Sequence, residues 1–174
     1  MVVQKFGGTS VADPDAVCRL IEIVRTARTR DGRGPVVVVS ALSGVTDALL
    51  LIAAEAGAAR VAQALSQVDR LRERHVAMVR ALVGGEQTDA LAALIEAEFN
   101  QLVDVVNALG VLREVSSGTL DVIAAIGELL SPPSVPGALV EAGLPAEWVD
   151  ARRAIVTNSD YTRALPLMRE TTAA

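Results

Sequence analysis

Lys5, Gly7, Gly8, Thr9 and Ser10 stand within one run of six residues near the start of the chain, and together they have the chemistry of an anion site. The glycines allow a tight turn that leaves backbone N–H groups exposed, and the two hydroxyls add donors. Lys5 is a point charge one residue before the end of the expected short strand Val2-Val3-Gln4-Lys5-Phe6, where it can reach the same ligand. Asp13, Pro14 and Asp15 then read as the N-cap, first position and first-turn acid of a helix, whose dipole favours negative charge at this end. Strand, glycine turn and helix N-terminus in succession suit a phosphate. The spacing fits neither G-x-x-x-x-G-K-[ST] nor G-x-G-x-x-G, so a different phosphate-binding architecture is required. A plain βα connection with a solvated lysine accounts for the same residues.

Glu128 is the second candidate. It follows Ile126-Gly127 and precedes Leu129-Leu130, where a carboxylate is costly to bury without a partner. Gly127 gives up about 1 kcal/mol of helix propensity relative to alanine. Together they suggest close approach by a ligand; a glutamate facing solvent from a one-sided helix is the alternative. Ser40 ends Val36-Val37-Val38-Val39-Ser40 and leads into Ala41-Leu42-Ser43-Gly44-Val45-Thr46-Asp47, a small-residue turn rich in hydroxyls. His75 lies on an apolar helical stripe with no second histidine in the chain, which favours a structural or partly exposed side chain over a metal ligand. Cys18, beside the stripe of the first helix, reads as a small core residue.

These residues must be positioned by β-α-β. The first helix carries Val17, Leu20, Ile21 and Val24 at helical spacing and ends in polar residues before Gly34. The four valines without alternation predict a strand covered on both faces, as in a central parallel strand of an α/β sheet. Ligands in such sheets bind beyond the carboxyl ends of the strands, which brings Lys5 and Ser40 to the same side. A second helix follows from about Val45 to Ala56. From Ala58 to Leu109 the pattern is helical throughout, with Gly84-Gly85 as a break, Thr88 or Asp89 as the next cap and Gly110 as the stop, which predicts a helical hairpin inserted into the sheet protein. Ser116 or Ser117 caps the helix that carries Glu128, and Pro132, Pro133 and Pro136 terminate or kink it. A short helix spans about Gly137 to Ala142. Glu147-Trp148-Val149-Asp150 and Ala154-Ile155-Val156-Thr157 predict two short strands, with Trp148 a core or edge anchor and Arg152 and Arg153 a solvated corner. Thr171 to Ala174 read as a frayed tail.

The 174 residues suit one domain, and 51% hydrophobic content with only four aromatic residues predicts an aliphatic core. A net charge of −5, with arginines scattered among acids along helical segments, argues against a nucleic-acid surface. The longest uncharged run, Gly34 to Thr46, is too short to cross a bilayer, and no membrane partner is expected. A single cysteine excludes an intramolecular disulfide, and no signal segment precedes the first strand, so a cytoplasmic location is expected.

Lys5-Phe6-Gly7-Gly8-Thr9-Ser10-Val11, then Val39-Ser40-Ala41-Leu42-Ser43-Gly44-Val45-Thr46-Asp47, then Leu120-Asp121 leading to Gly127-Glu128-Leu129-Leu130-Ser131, resemble the successive signatures of aspartate kinases. Trp148 to Arg152 and Thr157-Asn158 are similar to the segment that follows in that family. The resemblance implies an α/β class, a three-layer α/β/α sandwich of the amino-acid-kinase, carbamate-kinase-like type, with residues 1–174 forming its N-terminal portion and carrying the helical insertion. It implies transfer of the γ-phosphoryl of ATP, with Mg2+, to the β-carboxylate of L-aspartate, giving 4-phospho-L-aspartate, the first step of lysine, threonine and methionine biosynthesis. Lys5 would then stabilise the transferring phosphoryl as a catalytic residue; Gly7, Gly8, Thr9, Ser10 and Ser40 would bind the phosphates; and Thr46 and Glu128 would bind aspartate, Glu128 facing its ammonium group.

The family's glycine-rich second half, most of its nucleotide pocket and its ACT domains have no counterpart here, so the chain is expected to be a fragment without catalytic activity of its own. The proline cluster Pro132-Pro133-Ser134-Val135-Pro136 departs from the family's continuous helix, and Asp47 from its more usual asparagine. A kinase of the same fold acting on another acid and a non-catalytic assembly module are the alternatives. An incomplete sheet leaves an unpaired edge, so a homo-oligomer is expected.

Overall fold

The computed structural model describes residues 2–130 and 134–173. Strands β1 (Val3–Phe6) and β2 (Val36–Val39) pair in parallel, Val3 opposite Val36 and Phe6 opposite Val39. Parallel strands need a crossover, and helix α1 (Pro14–Asp31) provides it. Its ends are set locally: Asp13 Oδ1 accepts the Ala16 N–H at 2.7 Å, Pro14 occupies the first position, and Gly32 terminates the helix at φ 68°. A 3-10 turn, Gly8–Val11, lies between β1 and α1.

The valine strand is not covered on both faces. Phe6, Val37 and Val39 join the core, and Gln4 is half-buried on the same side, whereas Val3, Lys5, Val36 and Val38 turn away; Val36 and Val38 are 46% and 43% exposed. A run of valines permits burial on both sides of a strand, but a covering layer has to come from elsewhere in the structure. The helices of this chain gather at the inward face.

Helices α2 (Val45–Gly57), α3 (Val61–Leu82), α4 (Glu86–Leu112) and α5 (Ser117–Leu130) form that helical body, with the α3–α4 hairpin packed on α2 and α4 also touching α5. Ile52, Val68, Phe99, Leu102, Val106 and Ile123 are fully buried within it, and the core is mostly aliphatic, with Phe6 and Phe99 its phenylalanines. Two boundaries of the hairpin differ from expectation. Gly85, at φ 64°, precedes the first residue of α4, so Thr88 and Asp89 lie inside the helix, where Thr88 Oγ1 donates to Val83 O at 2.6 Å. Gly110 does not stop α4, which continues to Leu112 before Arg113 turns left-handed at φ 55°. A side chain at Gly110 would collide with Val61, so this glycine lets the two ends of the hairpin approach. Its role is packing between helices, which periodicity along one helix does not reveal.

Ser116 Oγ accepts the Thr119 N–H at 3.1 Å and caps α5. Helix α6 is described over Ser134–Glu141 and contains Pro136. Ser131, Pro132 and Pro133 lie outside the described residues. The two expected strands after residue 144 are absent: Ala151–Arg153 form a 3-10 turn, Thr157 makes one isolated antiparallel bridge to Pro166, and Met168–Ala173 form helix α7 in place of a frayed tail. Strand propensity needs a neighbouring ladder, and this segment lies on the surface without one; Trp148 is accordingly 43% exposed and anchors no core. Arg152 is held by Asp150 at 2.6 Å, at the solvated corner. Cys18 is exposed, outside the core stripe of α1. By length and composition Ser117–Glu141 is apolar enough to cross a membrane, with a mean hydropathy of 1.3 over 18 residues, but Ile123, Ile126, Leu130, Val135 and Leu139 within it are buried in the core.

Candidate functional site

The carboxyl ends of β1 and β2 lie side by side, with the Ser40 N–H donating to Phe6 O at 3.2 Å. Both strands therefore release their turns at the same edge. Past β1 the chain folds back on itself, the Ser10 N–H donating to Gly7 O at 2.8 Å, and α1 starts three residues beyond the end of that 3-10 turn. Past β2, residues 40–44 form a second turn; the Val45 N–H donates to Leu42 O at 3.0 Å and Gly44, at φ 77°, opens α2.

The two turns touch. A Cβ at Gly8 would lie 2.9 Å from Ala41 O and 3.3 Å from the Ser43 backbone, so only glycine permits this approach. Neither Gly7 nor Gly8 has a positive φ, so Gly8 is required by its close backbone neighbour and not by the turn itself. Lys5 stands on the open face of the sheet opposite Val38, exposed and with no ion-pair partner among the described residues. Thr9 is exposed, and Ser10 and Ser40 are half-buried. Thr46 is exposed in the first turn of α2.

Glu128 reaches this edge from α5. Its Oε2 accepts the Ala41 N–H at 3.0 Å, across 87 residues of sequence. The side chain is exposed as a whole, so it is neither a buried charge nor one turned idly to solvent: one oxygen secures the second turn, and among the described residues the other has no hydrogen-bond partner. Gly127 serves a different neighbour from the one its place beside Glu128 suggests. A Cβ there would meet Leu49 Cδ1 at 2.7 Å and Val45 Cγ1 at 3.4 Å, so the glycine seats α5 against α2 and does not make room for a ligand. That packing places Glu128 beside the turn.

Lys5, Gly7, Gly8, Thr9, Ser10, Ser40 and Glu128 thus belong to two touching turns and the residues flanking them; Thr46 follows in the helix that the second turn opens. Arg74, one of the arginines scattered along the helical segments, donates from its guanidinium to Ser43 O and Ala12 O. No local pattern marks it, because its acceptors are backbone carbonyls 31 and 62 residues away. His75, next to it, is buried; Nδ1 donates to Leu71 O at 2.7 Å and its ring meets Phe99 edge-on at 5.5 Å. It is a structural histidine of the hairpin.

Parallel strands joined by a crossover helix, with a glycine turn at their carboxyl edge, define an α/β protein. The sequence model of the amino acid kinase family matches residues 1–170, and the chain belongs to that family. Within the family its similarity is to aspartokinases. It is 30% identical over 168 residues to lysine-sensitive aspartokinase 3 of Escherichia coli (strain K12), covering 95% of this chain and 34% of that protein. It is 27% identical over 157 residues to the chloroplastic bifunctional aspartokinase/homoserine dehydrogenase 1 of Zea mays, covering 90% of this chain and 16% of the relative. The crystal structure of E. coli aspartokinase III with aspartate and ADP superposes with a TM-score of 0.84 at 29% identity, over 99% of this chain and 36% of the other. The lysine and aspartate complex of the same enzyme gives 0.84 at 30% identity. The chain therefore spans about a third or less of the length of these relatives, and its fold is the amino-acid-kinase α/β fold.

Proposed function

We propose that this chain forms the aspartate-binding and phosphoryl-contacting edge of an aspartate kinase. The observation that carries the reading is the Glu128 Oε2 to Ala41 N–H bond, which joins the carboxylate to the turn against which Gly8 packs. Among the described residues it leaves the second carboxylate oxygen without a partner, beside a glycine turn that carries the hydroxyls of Thr9 and Ser10. Aspartate and ADP are the ligands named for the related crystal structure, which supports the same pair of ligands here.

In this reading Glu128 and Thr46 hold L-aspartate, the carboxylate facing the substrate ammonium. A β-carboxylate oxygen forms the new bond to the γ-phosphorus of ATP as the bond from that phosphorus to the bridging oxygen breaks, giving 4-phospho-L-aspartate and ADP. No enzyme nucleophile is required. Lys5 stabilises the charge carried by the transferring phosphoryl, and the N–H and hydroxyl groups of Gly7, Gly8, Thr9, Ser10 and Ser40 receive phosphate oxygens. Mg2+ supplies charge neutralisation on the nucleotide when it is bound. The donor set of the two turns, N–H and O–H groups with one lysine, suits the phosphate oxygens and not the metal itself.

The test is titration of the chain with L-aspartate by calorimetry, alone and as Glu128→Gln. Loss of a charge-assisted bond is expected to weaken binding about tenfold. Equal affinity in the two proteins removes Glu128 from the site, and tighter binding of glutamate would favour a kinase of the same fold acting on another acid. Trapping of aspartyl phosphate with hydroxylamine, beside Lys5→Ala, then tests whether any turnover depends on the lysine.

A further inference from the structure

Arg74 projects from α3, in the helical hairpin, yet it touches both turns of the candidate site. Its Nη1 donates to Ser43 O at 2.9 Å and its Nη2 to Ala12 O at 3.2 Å. Ala12 caps the 3-10 turn that begins at Gly8, and Ser43 precedes the left-handed Gly44. Ala12 O therefore lies at the end of the first turn away from Gly8, and Ser43 O belongs to the residue of the second turn whose backbone, with Ala41 O, packs against Gly8. Both acceptors are neutral, and among the described residues no carboxylate pairs with Arg74. The base of the side chain is held firmly, because Leu71, His75 and Met78 on the same helix are buried.

We propose that Arg74 is a positioning residue, a guanidinium strut that sets the separation of the turn after β1 from the turn after β2, and with it the spacing of the phosphoryl-contacting and aspartate-binding groups. The role assigned to those groups rests on the function proposed above. A planar fork can satisfy two carbonyls at once from one rigid group, whereas a lysine ammonium on a flexible stem cannot hold both in fixed geometry. The hairpin thereby acquires a part in the site: α3 carries the strut, and α4 packs behind it.

Amide hydrogen exchange by NMR on the whole chain, as wild type, Arg74→Ala and Arg74→Lys, tests the strut without any ligand. The Ser10 and Val45 N–H groups, which close the two turns, are expected to exchange about tenfold faster in both variants. The Leu102 amide of the core should be unchanged, as should the urea midpoint. Calorimetric affinity for L-aspartate should fall about tenfold in both variants, which a residue that only decorates the surface would not cause. Wild-type exchange at Ser10 and Val45 in Arg74→Ala overturns the proposal, and so does full rescue by Arg74→Lys, which would assign the effect to charge alone. A wild-type chain that gives no aspartate titration counts against the proposed function and not against the strut, which the exchange rates then decide.

Discussion

Glu128 and His75 are single residues whose surroundings, more than their types, decide what they do. Glu128 sits in an apolar stretch of sequence yet is exposed, because the carboxyl end of α5 emerges at the edge of the sheet where Ala41 offers a backbone donor. His75 is the opposite case. Burial is the main cause that holds its pKa below the ordinary value; the Leu71 carbonyl works the other way, and the charge of Arg74 adds a smaller depression. With Nδ1 donating to Leu71, a proton on Nε2 would have no partner, since that atom is buried and unbonded. Between the lowered folded value and the ordinary value of about 6.5 the unfolded chain binds the extra proton and the folded chain does not, so stability declines as the pH falls. Urea unfolding should show full stability above about pH 6.5 and a loss below it. In His75→Leu that part of the pH dependence should vanish, whatever the change in stability at neutral pH. An unchanged slope would place the titration elsewhere.

At the scale of elements, the site depends on two turns that glycine alone allows to touch. Gly8→Ala sets a methyl group against Ala41 O and the backbone of Ser43, neither of which can rotate away as a flexible side-chain end can. The turns must separate, at a cost of about 1–3 kcal/mol in urea unfolding, with aspartate binding weakened as well. Stability and affinity both at wild-type levels would show that the turns adjust freely. Gly127 meets the movable end of Leu49, so the same change there is partly offset by about 1 kcal/mol of helix propensity. The two glycines look alike in sequence but differ in what stands opposite.

At the scale of the whole molecule, Val3, Val36 and Val38 form an apolar sheet face that faces solvent beside Lys5. A two-stranded sheet with open edges is a template for pairing, so light scattering should show concentration-dependent association of the chain, reduced in Val36→Lys/Val38→Lys. Because both valines are already exposed, stability should change by no more than about 0.5 kcal/mol per site. A monomer at all concentrations, in wild type and variant alike, would dispose of the expectation. A stable oligomer that ignores aspartate would instead favour an assembly module.

The glycine turn, the capped α1, the valine strand and the long hairpin are legible along the sequence by local rules, since hydrophobic period, capping chemistry and glycine turns act over a few residues. Lys5, Ser40 and Glu128 stand out by type and place, whereas Thr46 is marked only by the resemblance to aspartate kinases. What sits opposite each residue is decided only in three dimensions. Gly110 packs against Val61 instead of ending a helix, Gly127 seats α2 instead of a ligand, and the residues around Trp148 lack the ladder that would make them strands. Arg74 gains its position from two carbonyls brought together by the β-α-β crossover and the hairpin. Backbone acceptors carry no residue type, so a contact made through them leaves no mark in the order of the amino acids.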